Sequence, residues 1–448
     1  MSDTTEPVDA ASAGPYPSSR YAWTLVAFLT LAYVSSFLDR WILGLLVDPI
    51  KESTGASDTQ MGFLSSAFTW IYALCALPLG FLVDRASRTR LVAFGIMVWS
   101  AATIWTGTAK SFVTLFAARA SVGVGEAVLS PAAFSMIGDS FPAERRGLPI
   151  AVYSMALVIG ASIANLMAAG ILAWAESISP LTLPLLGTVE DWQLIFIVVG
   201  APGFLLAIVF LFFREPARIE SSPREGASLG DAFTWIRGNA AAFFTFVPLF
   251  MCMVAIAYGQ FFNAAMFGRT WGWDPKLYAV INGLSILAIS PATYIFAGRY
   301  SDRQVARGDR VAPLRLAAIG LFLMIPSAIV APLLPTGALA FAMFCVTTVG
   351  IGLISATGVN ALLAIVPGDV RGVVVAVYYF FISFIGGALS PPLIGWINDA
   401  FFAGESLRSA VAIYPVIFGL PVMALVPWTL RHYRDALARA GLPVAGHA

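Results

Sequence analysis

Residues 111–147 read SFVTLFAARASVGVGEAVLSPAAFSMIGDSFPAERRG. The run is apolar and long enough to span a bilayer, which takes about 20 such residues, yet it holds Arg119 and Glu126. A charge at the bilayer centre costs roughly 2.5–3.5 kcal/mol on insertion scales, so both side chains should face protein or water rather than lipid. Seven residues is nearly two helical turns, which puts Arg119 and Glu126 on one face. Gly123 and Gly125 lie between them and bare that face, so another helix or a ligand can come close. Two readings stand: a charged wall of a pathway, or an ion pair that ties two helices together. The pathway reading gains from a second charged pair, Asp39-Arg40, which interrupts the first apolar segment in the same way.

Outward from that stretch, the 448 residues are 59% hydrophobic and 11% charged, with mean hydropathy +0.82. Soluble domains carry roughly 25% charged residues, so a deficit sustained over this length means a polytopic membrane protein. The net charge of +1 leaves no basic surface that would suggest nucleic acid. Cys75, Cys252 and Cys345 fall inside apolar segments and read as packing residues, so neither a metal nor another cofactor is expected. Residues 1–20 form a polar tail without the basic n-region of a signal peptide.

Hydropathy predicts an all-α membrane protein with twelve transmembrane helices: 22–47, 61–83, 91–109, 111–139, 147–175 and 192–213, then 240–268, 277–298, 313–332, 336–365, 372–397 and 409–430. One set of loops is rich in arginine, from Arg85, Arg88 and Arg90 to Arg315 and Arg371. The alternate loops hold only Lys51, Lys110, Arg269, Lys276 and Arg408. The positive-inside rule makes the Arg-rich side cytoplasmic and places both termini there, as an even number of spans requires. The chain also repeats itself. Gly80-Phe-Leu-Val-Asp84-Arg85 ends the second span and Gly298-Arg-Tyr-Ser-Asp302-Arg303 the eighth, and Pro142-Ala-Glu-Arg-Arg146-Gly147 recurs as Pro367-Gly-Asp-Val-Arg371-Gly372. Both offsets are about half the chain, which predicts two pseudo-symmetric six-helix bundles, 21–213 and 239–432, joined by a cytoplasmic linker, 214–238, with a tail at 433–448.

The G-x-x-x-D-R-x-x-R pattern between spans two and three, echoed between eight and nine, resembles the signature of the major facilitator superfamily, with Ser87 where that family often has Gly. Within it the chain resembles the spinster-like transporters. The residues that carry this are Tyr33 to Asp39-Arg40, Arg119 with Gly123-Val-Gly125-Glu126-Ala127, Asp139-Ser-Phe-Pro142, and Ser390-Pro-Pro-Leu-Ile-Gly395-Trp-Ile-Asn398-Asp399. The resemblance implies alternating-access transport of an anionic amphipathic lipid, a lysophospholipid or sphingoid phosphate, coupled to protons. Organic-anion symporters of the same superfamily share a similar Asp-Arg pair, so a proton-coupled symporter of small organic anions is the alternative. Asp84, Arg85, Arg88 and Asp302, with Arg146, Arg303 and Arg371 in the matching loops, look like a latch that holds one conformation. The other reading of these residues is a charge cluster that serves insertion alone.

His432 and His447 lie outside the spans, so an intramembrane proton carrier has to be a carboxylate. Asp39 and Glu126 are the two acids well inside predicted spans, and Arg119 is their expected electrostatic partner. Asp39 lies about 26 Å along its span and Arg119 about 12 Å along its own, from opposite faces. In a core about 30 Å thick the two levels meet. Arg40 and Arg119 offer planar donor forks for a phosphate; Arg40 can equally be a snorkelling or helix-pairing cation. The C-terminal half holds no acid or base deep in a span. Its polar groups, among them Tyr258, Asn263, Asn360 and Tyr379, together with Tyr33 of the first half, are expected to face the substrate, beside aromatics suited to an acyl chain. For any one of them ordinary interhelical packing is the plainer reading. No nucleotide loop and no histidine-bearing constellation is present, which argues against an ATP-driven pump or an enzyme. The chain is expected to be a multi-pass protein of the plasma (inner) membrane if bacterial, and to work as a monomer with protons, membrane lipids and its substrate as partners.

Overall fold

The computed structural model describes residues 16–142, 145–178, 181–183, 187–219, 229–367 and 370–441. Among these, eleven helices are long and apolar enough to cross a membrane: Ser19–Leu45, Arg88–Thr108, Phe112–Ser140, Gly147–Ile178, Asp191–Phe212, Ala240–Trp271, Pro275–Ala306, Ala312–Leu333, Gly337–Ile365, Val373–Phe402 and Leu407–Arg439. The remaining span, second in order, is made of Asp58–Ala76 and Pro78–Arg85, bent by 49°. Pro78 has no N–H to give the carbonyl four residues back and its ring crowds that carbonyl, which breaks the helix there. Counting the bent pair as one span, the twelve expected spans are present.

Breaks elsewhere have equally local causes. Pro131 removes the bond to the carbonyl of Ala127, and the fourth span turns between Phe112–Glu126 and Leu129–Ser140. The seventh span loosens to a 3₁₀ turn at Gln260–Phe262, just after Gly259. In the eleventh span a π-helical turn, Ile382–Gly387, precedes Pro391 and Pro392, whose missing N–H groups deprive the carbonyls of Gly387 and Ala388 of their α-helical partners. The second span starts at Asp58, three residues before the predicted boundary. Its first turn is polar and held by a capping box between Ser57 and Gln60, a pattern hydropathy alone does not register.

Three elements were not anticipated by an all-helical reading of spans and loops. A short helix, Val47–Thr54, continues the first span after a one-residue break. A two-stranded antiparallel hairpin, Leu181–Leu183 with Gly187–Val189, joins the fifth and sixth spans. The polar linker carries a helix, Leu229–Gly238. Residues 220–228 of that linker, the 1–15 and 442–448 tails, and positions 143–144 and 368–369 of the repeated loop motif lie outside the described residues.

The half-chain repeat is visible in the packing. Gly95 of the third span and Gly125 of the fourth seat against each other's backbone, and a Cβ on either would lie 2.7 or 2.6 Å from the other's carbonyl oxygen. Gly320 and Gly350, each 225 positions further on, do the same between the ninth and tenth spans, at 2.8 and 2.6 Å. The halves meet along two seams, second span on eleventh and fifth on eighth. Advancing each number by six exchanges these seams, as a pseudo-two-fold relation requires.

Candidate functional site

Span one runs away from the Arg-rich side and span four returns towards it, so their charges meet antiparallel. Arg119 donates from Nη1 to Asp39 Oδ2 at 2.8 Å, and the Thr103 hydroxyl of the third span donates to Asp39 Oδ1 at 2.9 Å. Glu126 Oε2 accepts from Ser36 Oγ at 2.6 Å, from Arg40 Nε at 2.9 Å, and from Arg40 Nη2. Asp39, Arg119, Glu126 and Ser36 are all buried, and the Arg40 side chain is 23% exposed. The sequence led us to expect Arg119 as partner to both acids. The structure separates them into two pairs, Asp39–Arg119 and Glu126–Arg40. Arg119 and Glu126 lean the same way along their helix and stay about two turns apart, while the lean of span one brings Arg40 down to the level of Ser36.

Neither pair is saturated. Arg119 Nε and Glu126 Oε1 are buried without a hydrogen-bond partner. A carboxylate with one committed and one bare oxygen can accept a proton without first surrendering its guanidinium. The Arg40 guanidinium also lies 4.2 Å from the Phe68 ring centre, with Phe37 at 5.4 Å and Tyr72 at 5.5 Å. Tyr33 stacks on Tyr153 at 5.0 Å, whose hydroxyl is 3.2 Å from Ser130 Oγ. Tyr258 of the C-terminal half lies within electrostatic range of Arg40 and Tyr33 and is 39% exposed. The expected close approach at Gly123 and Gly125 is made by helices: Gly123 backs onto the carbonyl of Phe68, and Gly125 onto the third span.

The other expected substrate contacts divide. Tyr379 and Asn360 are exposed, with Asn360 Nδ2 returning to the carbonyl of Ala356 at 3.5 Å. Asn263 is 1% exposed, buried at the break of the seventh span.

The expected latch residues also divide. Asp84, Arg85, Asp302, Arg303 and Arg371 are exposed, and Arg371 reaches only carbonyls of Leu363 and Val366. Arg146 Nε bonds the carbonyl of Phe141, within its own loop. Arg88, expected with them, is fully buried inside the N-terminal half. It holds Asp139, Glu215 Oε1 at 2.6 Å, Ser135 Oγ at 2.9 Å and the carbonyl of Pro216 at 2.7 Å. Arg218 clasps the carbonyls of Val83, Asp84 and Ala86. The start of the linker is thus strapped to the inner end of the first bundle. Burial pushes Glu215 up, but the Arg88 guanidinium and the Thr89 and Arg88 backbone amides outweigh it and hold this carboxyl below the usual range.

The halves are locked at the opposite, Arg-poor end. Arg269 of the seventh span bonds Asp48 Oδ1 through Nε at 2.9 Å and Nη2 at 2.5 Å, and Asp58 through Nη1 at 2.8 Å and Nη2 at 2.9 Å. Asp58 is fully buried and also accepts from Lys51 at 2.6 Å and Asn398 Nδ2 at 2.7 Å. Asp399 accepts from Thr59 N at 2.8 Å and Oγ1 at 2.5 Å, and Lys276 pairs with Glu176. Sequence reasoning noted Lys51, Arg269 and Lys276 only as the few cations of this side, and Asn398-Asp399 only as a motif. The contacts of Arg269, Asn398 and Asp399 across the halves join residues more than 200 positions apart, which no local pattern carries. Among the described residues, the ion pairs between the halves set out above lie at the Arg-poor end, while Asp84, Arg85, Asp302, Arg303 and Arg371 of the Arg-rich loops are exposed; we read the arrangement as closed at the first end and open at the second.

The sequence profile of the Major Facilitator Superfamily matches residues 29–432. The chain is 25% identical to a probable L-galactonate transporter of Escherichia coli (strain K12), over 91% of this chain and 89% of that protein. It is 33% identical to the mouse sphingosine-1-phosphate transporter SPNS2, over 36% of this chain and 31% of that one. The crystal structure of a bacterial homologue of the human lysosomal transporter Spinster, inward-facing and unoccupied, superposes with a TM-score of 0.81 at 26% identity, over 94% of this chain and 99% of that one.

Proposed function

The chain belongs to the major facilitator superfamily and is spinster-like, a multi-pass membrane transporter, and from that premise we propose that it carries an anionic amphipathic lipid, of the lysophospholipid or sphingoid-phosphate kind, together with protons. The observation that carries this reading is the Arg40–Glu126 pair. A partly exposed guanidinium among aromatic faces, tied to a buried carboxylate with one free oxygen, offers both an anion fork and a proton site. Protonation of Glu126 frees Arg40 for a phosphate; phosphate binding at Arg40 in turn favours protonation of Glu126. Occupancy and protonation therefore rise together, which is the linkage a coupled transporter needs. The deeper Asp39–Arg119 pair is the second proton-linked element. With Asp84 and Asp302 exposed, the latch of the Arg-rich end is proposed to form only in the opposite conformation, with that end taken as cytoplasmic.

A second reading has its own support. The galactonate transporter matches nearly the whole chain, whereas SPNS2 matches a third of it, and a small sugar acid also needs a guanidinium and a proton. Vesicles with purified protein and an imposed pH gradient separate the two. Lysophosphatidylglycerol should evoke proton movement that Glu126→Gln abolishes, and excess galactonate should not compete. Competition by galactonate, with no response to the lysolipid, would establish the small-anion symporter instead.

A further inference from the structure

Thr103 stands on the third span, outside the charged sequence motifs, and its hydroxyl is buried. Its Oγ lies 2.9 Å from Asp39 Oδ1 and 2.9 Å from the carbonyl oxygen of Trp99, one turn back on its own helix. A threonine hydroxyl has one proton and two lone pairs. It can donate to one of these oxygens at a time. We infer that Thr103 is a positioning residue that lets Asp39 change charge inside the bundle, by reversing the direction of one hydrogen bond. With Asp39 ionised, the Thr103 proton points to Oδ1 and the Trp99 carbonyl keeps only its helical partner. With Asp39 protonated on Oδ1, the new carboxylic O–H donates to Thr103 Oγ, and the Thr103 proton turns to the Trp99 carbonyl. No atom moves more than a hydroxyl rotation, and Asp39 Oδ1, Thr103 Oγ and the Trp99 carbonyl are all paired in both states.

The alternatives at this position show why the residue type matters. A serine keeps the switch. A valine keeps the shape but leaves Oδ1 without a donor when charged and without an acceptor when neutral. An unmet hydrogen bond costs more at a charged group than at a neutral one, so valine penalises the ionised form more. The charged groups that face Asp39 are Arg119 and Glu126 of the fourth span and Arg40 beside it. The third, fifth and sixth spans packed near it carry no acid or base at that level.

This inference rests on the proposed proton linkage of Asp39, and its test is chosen to read Asp39 directly. Infrared pH-difference spectra of the purified full-length protein should contain a carboxylic-acid band that is absent in Asp39→Asn. In Thr103→Val that band should move to the frequency of a less hydrogen-bonded acid, and the pH at which it is half-formed should rise by about one unit. Thr103→Ser should restore both. A merely structural threonine would lower the amount or melting point of the valine variant and leave band and midpoint in place, which would overturn the inference. Absence of any Asp39 band at any pH would overturn it as well. Failure of the transport reading shows separately, as wild-type protein that gives the band but moves no protons with either lysophosphatidylglycerol or galactonate.

Discussion

Arg269→Ala should shift the protein from its present arrangement towards the one open at the Arg-poor end. Arg269 is the cation that the C-terminal half contributes to the central lock, and it makes four hydrogen bonds to two carboxylates of the N-terminal half. Removing one partner of a fully buried ion pair costs about 3–5 kcal/mol. Here the Arg269 side chain is 25% exposed, and Asp58 keeps Lys51 and Asn398, so the loss should be smaller, about 2 kcal/mol. Since about 1.4 kcal/mol is tenfold, the ratio of the two conformations should change about thirtyfold. A protein that is 99% closed at this end would then populate the other state to about a quarter, within reach of pulsed spin-label distance measurements. Labels at Ala86 and Arg303 report the Arg-rich end, and labels at Thr54 and Arg408 the Arg-poor end. The first distance should gain a shorter component as the second gains a longer one. Asp58→Asn should act in the same direction. Distance distributions unchanged in both variants, with the protein folded, would refute the assignment of this cluster as the lock.

Arg40→Lys keeps a charge but removes the planar fork and its stacking on Phe68, so apparent affinity for the anion should fall about tenfold while a pH gradient still drives movement; an unchanged concentration dependence of uptake would remove Arg40 from the substrate path. Glu215 makes a pH prediction of defined sign. Its folded-state value is held below the ordinary carboxylate value of 4.5, so its contribution to stability is complete above that value and is lost as pH falls through the lowered one. The melting temperature should therefore drop further in wild type than in Glu215→Gln between neutral pH and the acid side of that window, and parallel losses in the two proteins would show that the strap adds nothing.

Much of this was legible from residue type and spacing, because a charge in a span has few explanations. Asp39, Arg119 and Glu126 were found that way, and the depth argument correctly brought Asp39 to the level of Arg119. The pairing of Glu126 was not legible. Two charges seven residues apart share a face, but both lean towards the N-terminus of their helix and so stay about two turns apart, while the neighbouring span brings Arg40 to Glu126 and Asp39 to Arg119. Ser36 and Thr103 were missed because a hydroxyl in an apolar span is common and usually bonds its own helix, as Thr30, Thr106 and Ser121 do here. Arg88 illustrates the opposite failure. Its motif placed it on the Arg-rich side correctly, but its partners, Asp139 and Glu215, come from the fourth span and the start of the linker, so a residue that looked like part of a latch between halves bolts the linker to the first bundle.

The two seams between the halves share a backbone relation but not a chemistry. Along the second and eleventh spans, Gly62 seats on the carbonyl of Pro391 and Gly395 on that of Asp58, where added Cβ atoms would lie 2.4 and 2.2 Å away. The same seam carries Asp58, Asn398, Asp399 and the approach of Arg269. Along the fifth and eighth spans the contacts at matching depth are neutral. Gly283 rests on the carbonyl of Ser162, and Asn282 donates to Asn165 at 3.3 Å, with the Lys276–Glu176 pair only at the exposed margin. Neutral amides slide past one another at little cost, while a buried carboxylate with four donors separates only when new partners or water replace them. The fifth–eighth seam therefore has the properties of a hinge and the second–eleventh seam those of a latch, so rocking should open the molecule asymmetrically. The first span bears Arg40 and runs on, through the break at Leu46, to Asp48 and Lys51 of the lock. A change of charge at Glu126 that releases Arg40 acts on the same element that holds one jaw of the latch.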